Sequence, residues 1–368
     1  MKRTGTAILP LHGGKAPPWL IKRMITLGRA IFDVIIEEYG PLEVLKRLSD
    51  PYWFQCLSCV LGYDWHSSGT TTVTMGVLRE VFDPEVHSIA VVGGKGKRSR
   101  KTPDEIPEVG RIFDFSDDDI GNLIRTSRLV AKVDNVAIQD GFQLYHHSMV
   151  ICRDGNWAVI QQGMDPDSRE ARRYHWLSLN VRSFVEEPHT GIITERFKDR
   201  VLDMTAKESE ECRNISVDLI REGPKKIRNL LRSIKSPFQR SLFGEQVPEN
   251  VTERILVMPR KIDWKAVEIA YQLQPSNFEE LLLVKGIGPG VVRALALISE
   301  LIWGAPPSWK DPAKFAFAHG GKDRVPYPVN IRWMEHSTRI LREALEQAKV
   351  GNKEKLMALK RLKEFLNR

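Results

Sequence analysis

The sequence predicts an α+β protein with a helical N-terminal part, a central antiparallel β-hairpin or sheet region, and an all-α C-terminal region containing a helix-hairpin-helix. Three observations predict it. Apolar residues recur at helical spacing from Trp19 to Leu48, with proline at the entry and glycine at the break. In the middle of the chain two apolar runs flank Arg153-Asp154-Gly155-Asn156, and Asp-Gly between such runs is a strong hairpin signal. Beyond Thr190 the helical pattern returns, interrupted at Lys285-Gly286-Ile287-Gly288-Pro289-Gly290.

The first stretch, to about Pro84, reads as a series of helices. The run from Pro17 to Gly40 opens on two prolines, which suit a first helical turn, and closes on glycine. Gly40 to Asp50 gives a second helix. Tyr52 to Trp65 is a third and more apolar one, in which Cys56 and Cys59 are small core residues. Cys152 and Cys212 do not form the second ligand pair that a zinc site needs. Trp65 to Phe82 is a loop leading into another helix.

From Glu85 to about Glu187 the character changes. Val86–Gly94 and Leu129–Gln139 are rich in β-branched residues and are expected in the sheet. On the strand before the Asp-Gly turn His146 and His147 point to opposite faces, as do Gln161 and Gln162 on the returning strand. Polar residues inside strands otherwise fit for a core call for an explanation. One is catalysis, with His147, His146, Asp140 and Asp134 as the candidate residues. Asp134 or Asp140 with a histidine supplies oxygen and nitrogen ligands for a metal-dependent nuclease. The cofactor stays open, a divalent metal such as Mg²⁺ being compatible. The other explanation is mutual satisfaction by hydrogen bonds. The spacing of His147 and Asp154 is similar to that of the phospholipase D-like nucleases, but Met149 stands where their lysine belongs.

After Thr190 a capping box at Thr205 and Glu208 opens the next helix, and Pro237 to Pro248 reads as a linker. The expected organisation is a mixed α/β unit over 1–195, a helical connector over 196–245 and a helical nucleic-acid-binding unit over 246–368. In the last of these, Ser276 and Glu279 are expected to cap a helix that turns through Gly286, Gly288 and Gly290 into a second. Such a turn exposes backbone N–H groups at a helix N-terminus, where a phosphate oxygen is attracted, with Lys285 and Arg293 adding charge. The contact grips the backbone without reading bases. Hairpins of this kind occur in DNA glycosylases, nucleases, ligases and polymerases. Asp311 is the nearest match to the aspartate that follows the hairpin in glycosylases.

The formal charge is +8 and the isoelectric point about 9.2, which points toward polyanions. Five basic residues and no acidic ones lie between Gly93 and Lys101; Lys95, Lys97 and Arg98 are expected on a mobile, exposed loop that contacts nucleic-acid backbone. The tetrapeptide His-Gly-Gly-Lys occurs at His12–Lys15 and again at His319–Lys322. The second copy follows the glycine hairpin, so His319 and Lys322 are expected near the same phosphates. No apolar run approaches the roughly 20 residues that span a bilayer, and the N-terminal apolar stretch is too short for a signal peptide. The expectation is a cytoplasmic protein with no membrane partner, binding nucleic acid, DNA before RNA.

Together Arg3–Leu20, Trp65–Thr72, Gly93–Pro103, Lys132–Ser148, Trp157–Met164, Gly286–Pro312 and Phe317–Pro328 resemble a prokaryotic family of unknown function, the domain of unknown function numbered 763. The resemblance covers nearly the whole chain and implies that these segments belong to one functional unit. The expected function is a DNA-binding protein of repair or processing and a candidate nuclease. The alternatives are a glycosylase-like base-excision enzyme and a non-catalytic nucleic-acid-binding module.

Overall fold

Proline and glycine punctuate the helical start as expected. Helices α1 (Pro18–Tyr39), α2 (Pro41–Ser49) and α3 (Pro51–Leu61) each begin on a proline. Gly40, at φ 81°, separates the first two, and Asp50 caps α3 by accepting from the Tyr52 and Trp53 amides at 2.8 and 3.2 Å. Helices α4 (Gly69–Val81) and α5 (Pro84–His87) lead into the sheet. The computed structural model describes residues 16–63, 69–168, 170–194, 197–241, 258–259, 261–313, 315–316 and 331–366. Both His-Gly-Gly-Lys copies, and with them His319 and Lys322, lie outside these.

Strand β1 (Ile89–Lys95) is followed by a helical turn over Gly96–Lys101 and by helices α6 (Thr102–Phe113) and α7 (Asp117–Lys132). The β-branched run from Leu129 is not a strand, as its composition had suggested. A capping box between Ser116 and Asp119 starts α7, and the helix continues through Lys132 into a wide turn ending at Ala137. Only β2 (Ile138–Gln139) is extended there. The expected hairpin forms: β3 (Gln143–Cys152) and β4 (Trp157–Met164) pair antiparallel across Gly155, at φ 83°. They continue into β5 (Ala171–Leu177), β6 (Gly191–Thr194) and β7 (Leu202–Asp203).

The C-terminal part holds α8 (Glu210–Glu222), α9 (Pro224–Ser241), α10 (Trp264–Leu273), α11 (Phe278–Leu283), α12 (Pro289–Trp303), β8 (Phe315–Ala316), α13 (Ile331–Gln347) and α14 (Asn352–Leu366). Two capping expectations shift. Thr205 caps no helix; its hydroxyl bonds the Asp203 carboxylate at 2.6 Å, and α8 starts only at Glu210. For α11 the cap is Asn277, which accepts from the Glu280 amide at 2.9 Å, while Glu280 accepts from the Ser276 amide at 2.7 Å.

The main sheet has the order β1-β3-β4-β5-β6-β8, antiparallel except where β6 meets β8. It is buried on both faces, and alternate residues divide between two cores. Ile89, Val91, Val150, Cys152, Ala158, Ile160 and Leu177 pack with α1–α4, α13 and α14. Ala90, Val92, Met149, Ile151, Trp157, Val159 and Trp176 pack on the other face with α6–α12, in a cluster running from Ala90 to Ile298. The sheet is therefore the middle layer of three.

Candidate functional site

Two polar rows cross this buried sheet, one on each face. Register pairs Lys95 with His146, His146 with Gln162, and Gln162 with Arg173, all on the face of the N-terminal helices. One residue over, Gly94, His147, Gln161 and Tyr174 pair in turn on the opposite face. The strand period of two separates the rows, so His146 and His147 cannot share a site on one face.

The His147 row is closed by side chains from α7 and the turn after it. His147 Nε2 meets Ser127 Oγ at 2.9 Å, and its Nδ1 meets Gln161 Oε1 at 2.7 Å. A glutamine oxygen only accepts, so Nδ1 carries the proton and Nε2 accepts from the serine. The Gln161 amide nitrogen then donates to Asp134 Oδ2, which also accepts from Trp176 Nε1 at 3.0 Å. Asp134 Oδ1 holds His189 Nε2 at 2.5 Å. Burial pushes the His147 pKa down, which keeps the ring neutral. His189 is the end of this chain and lines a cavity of about 90 Å³ with Glu187, Ile192, Asp203, Thr205, Ala206 and Pro312. Glu187 there has the left-handed φ of 43°.

Asp140 belongs to a different knot. Its carboxylate accepts from Arg172 at 3.0 Å, from the Tyr174 hydroxyl at 2.6 Å and from the Phe142 amide at 3.0 Å. Arg172 also holds Asp311 in two-point fashion at 2.9 and 2.7 Å, with its guanidinium over the Phe142 ring at 4.6 Å. Burial opposes the Arg172 charge, but Asp140 and Asp311 outweigh it and raise the pKa. Both Asp311 oxygens are thus committed to Arg172.

The four candidate catalytic residues therefore do not converge on one cleft. Asp134 and His147 share a network, Asp140 sits with Arg172, and His146 lies on the other face. All four are buried. Among the described residues no three His, Cys, Asp or Glu side chains are placed to share a metal ion. Sequence reasoning missed His189 and Arg172, although the strand alternation after Ala171 points Arg172 and Tyr174 to the same face as Gln161.

The glycine-rich turn stands apart from these knots. Gly286 adopts φ 89°, Gly288 precedes α12, and Pro289 fills its first turn. Among the described residues the N–H groups of Gly286, Gly288 and Gly290 donate to no acceptor, whereas Ile287 donates to Val284 O. The turn's carbonyls are held from the sheet side: Lys132 Nζ donates to Ile287 O at 2.5 Å and Gln139 Nε2 to Pro289 O at 2.9 Å. Lys285 is exposed; Arg293 is half-buried and donates Nε to Gln139 Oε1 at 2.8 Å. A Cβ at Gly290 would strike Lys261 O at 2.5 Å, and one at Gly286 would meet Ala266 Cβ at 2.9 Å. At Gly288 the nearest atom is 3.8 Å away, so only there is space open.

The basic stretch is not the mobile loop expected of it. Glu105 of α6 pins it, bonding the Gly93 amide at 2.8 Å, Arg79 at 2.7 Å and Arg98 at 3.3 Å. Lys95, Lys97, Arg98, Arg100 and Lys101 nevertheless remain exposed on its outer side.

A family model described as "Protein of unknown function (DUF763)" matches residues 5–329, and the chain belongs to that family. No curated protein and no solved structure matches the chain.

Proposed function

We propose that this member of the family binds the backbone of nucleic acid, DNA in the first instance, through the turn between α11 and α12 used as a helix-hairpin-helix. The observation that carries this is the set of unaccepted N–H groups at Gly286, Gly288 and Gly290, next to exposed Lys285 and the positive end of α12. Lys132 and Gln139 hold the carbonyls away from the ligand side, so the donors stand ready without rearrangement. The exposed cations from Lys95 to Lys101 extend the electrostatic footprint.

Binding of a short duplex is expected to weaken steeply as salt rises. Gly288→Val is the discriminating variant. It has room in the fold and puts a side chain where the phosphate approaches, so it should cost roughly tenfold in affinity, about 1.4 kcal/mol, with an unchanged melting temperature. Affinity equal to wild type would contradict the proposal. Gly286→Val is less informative, because its left-handed backbone strains any side chain.

Phosphodiester hydrolysis is the second reading, favoured by one pair. Asp134 orients His189 through Nε2, and the histidine lines a cavity, the arrangement of a general base. His189→Asn should then remove any DNA cleavage product while leaving salt-dependent binding intact. Cleavage that survives the substitution would rule His189 out.

A further inference from the structure

Arg173 is buried, at 5% exposure, yet it reaches only neutral oxygens. It donates to Gln55 Oε1 at 3.1 Å, to Thr71 Oγ1 at 3.4 Å and to Pro51 O at 3.5 Å, and its guanidinium lies over the Phe54 ring at 4.6 Å. Its Nε–H is buried with no acceptor. Among the described residues no Asp or Glu forms an ion pair with it, and burial pulls its pKa down to about 9. Protein interiors pair their charges, because an uncompensated one costs several kcal/mol.

Two strands along the same row His146 presents a second unmet group. Its Nε2 lies 3.0 Å from Ser148 Oγ, and its Nδ1 is buried with no partner. With the serine hydroxyl donating to Nε2, the proton of the neutral ring sits on Nδ1, a donor without an acceptor. Burial, with His147 and Lys95 behind it, takes the His146 pKa down to about 3. Between the two stands Gln162, whose amide oxygen accepts from Thr71 and whose nitrogen donates to the Tyr145 hydroxyl. The row opens outward at exposed Lys95, whose Nζ lies 5.9 Å from the Tyr145 ring centre and which leads into the basic turn. A β-bulge at Tyr145 marks the same spot.

We infer that this row is an oxyanion site for phosphoryl groups, with Arg173 as the buried anchor, His146 as the second donor and Lys95 at the outer end. A buried cation without a counter-charge and two donors without acceptors ask for one thing, an anion rich in acceptor oxygens. The donors stand on strands roughly 10 Å apart, so a ligand with two phosphoryl groups spans them better than a single phosphate does. The basic turn raises the local anion concentration at the mouth. The site lies on a different element from the α11–α12 turn and does not depend on the function proposed for it.

The test is calorimetric titration and thermal unfolding of the full chain with pyrophosphate, inorganic phosphate, and an oligonucleotide with and without a 5′-phosphate. Pyrophosphate should raise the melting temperature of the wild type by mass action. Arg173→Gln should weaken it roughly tenfold or more, the scale of a lost charge-assisted contact. Lys95→Glu, on the exposed rim, should weaken it severalfold, and it decides the matter if Arg173→Gln does not fold. A 5′-phosphate that adds Arg173-dependent affinity identifies nucleic-acid ends as the source; a response to pyrophosphate alone identifies free diphosphates. Absence of binding by all the phosphoryl probes, or equal pyrophosphate affinity in the wild type and both variants, overturns the inference. Gly288→Val should bind pyrophosphate as the wild type does, so failure of the hairpin proposal and failure of this one are separable.

Discussion

Arg172 and Arg173 are adjacent on β5 and both are buried, yet their surroundings are opposite. Arg172 points toward the α6–α12 layer and meets Asp140 and Asp311, which raise its pKa. Arg173 points toward the N-terminal helices and meets amide, hydroxyl and carbonyl oxygens only, and its pKa falls to about 9. The same contrast holds for the neighbouring histidines: both ring nitrogens of His147 are engaged, while Nδ1 of His146 is not. One face of the sheet is complete in itself. The other lacks an anion. The lesson is that a buried polar residue argues for a site only when its partners within the chain fail to satisfy it.

The largest effect should come from breaking the completed face. Arg172→Met leaves two carboxylates buried without a cation and should cost about 3–5 kcal/mol, read from denaturant unfolding. A loss under about 1 kcal/mol would show that the triad is dispensable. Acid should act next. His146 and His147 have folded pKa values below the ordinary 6.5, so below that pH the unfolded chain takes up protons that the folded one refuses. Stability should therefore fall as pH drops from 6.5, by about 1.4 kcal/mol per pH unit for each such histidine, and for His146 the fall should continue to about pH 3. His146→Leu should flatten that slope; an unchanged slope would mean that another group governs it.

Arg173→Gln in anion-free buffer should cost about 1 kcal/mol or less, since it gives up hydrogen bonds to neutral groups while removing an unpaired charge. A loss as large as that of Arg172→Met would erase the contrast between the two arginines. The smallest effect belongs to the surface. Lys97→Glu should leave stability within about 0.5 kcal/mol and lower the salt slope of DNA binding by about one phosphate contact. A slope unchanged within error would remove the basic turn from the footprint.

Much of this architecture is legible in the sequence, because local chemistry writes it. Pro18, Pro41 and Pro51 start helices, Gly40 separates two of them, and Asp154-Gly155 turns the central hairpin. The run from Leu129 misleads because β-branched composition is weaker than the Ser116–Asp119 capping box that starts α7 upstream. The candidate site was half legible. The opposite orientation of His146 and His147 follows from the strand period alone. Their partners do not: Asp311 lies 139 residues from Arg172, and His189 reaches Asp134 across 55 residues from an irregular segment. Contacts at that range are set by the packing of layers, on which local propensity is silent.

The central contrast has a direct spectroscopic test. Arginine Nε–H resonances of Arg172 and Arg173 can be assigned by substitution and followed while pyrophosphate is added to the full chain. The expected result is that the Arg173 resonance shifts with saturation and the Arg172 resonance stays in place. If Arg173 does not move, or if the two shift together, the sheet does not have one closed face and one anion-binding face.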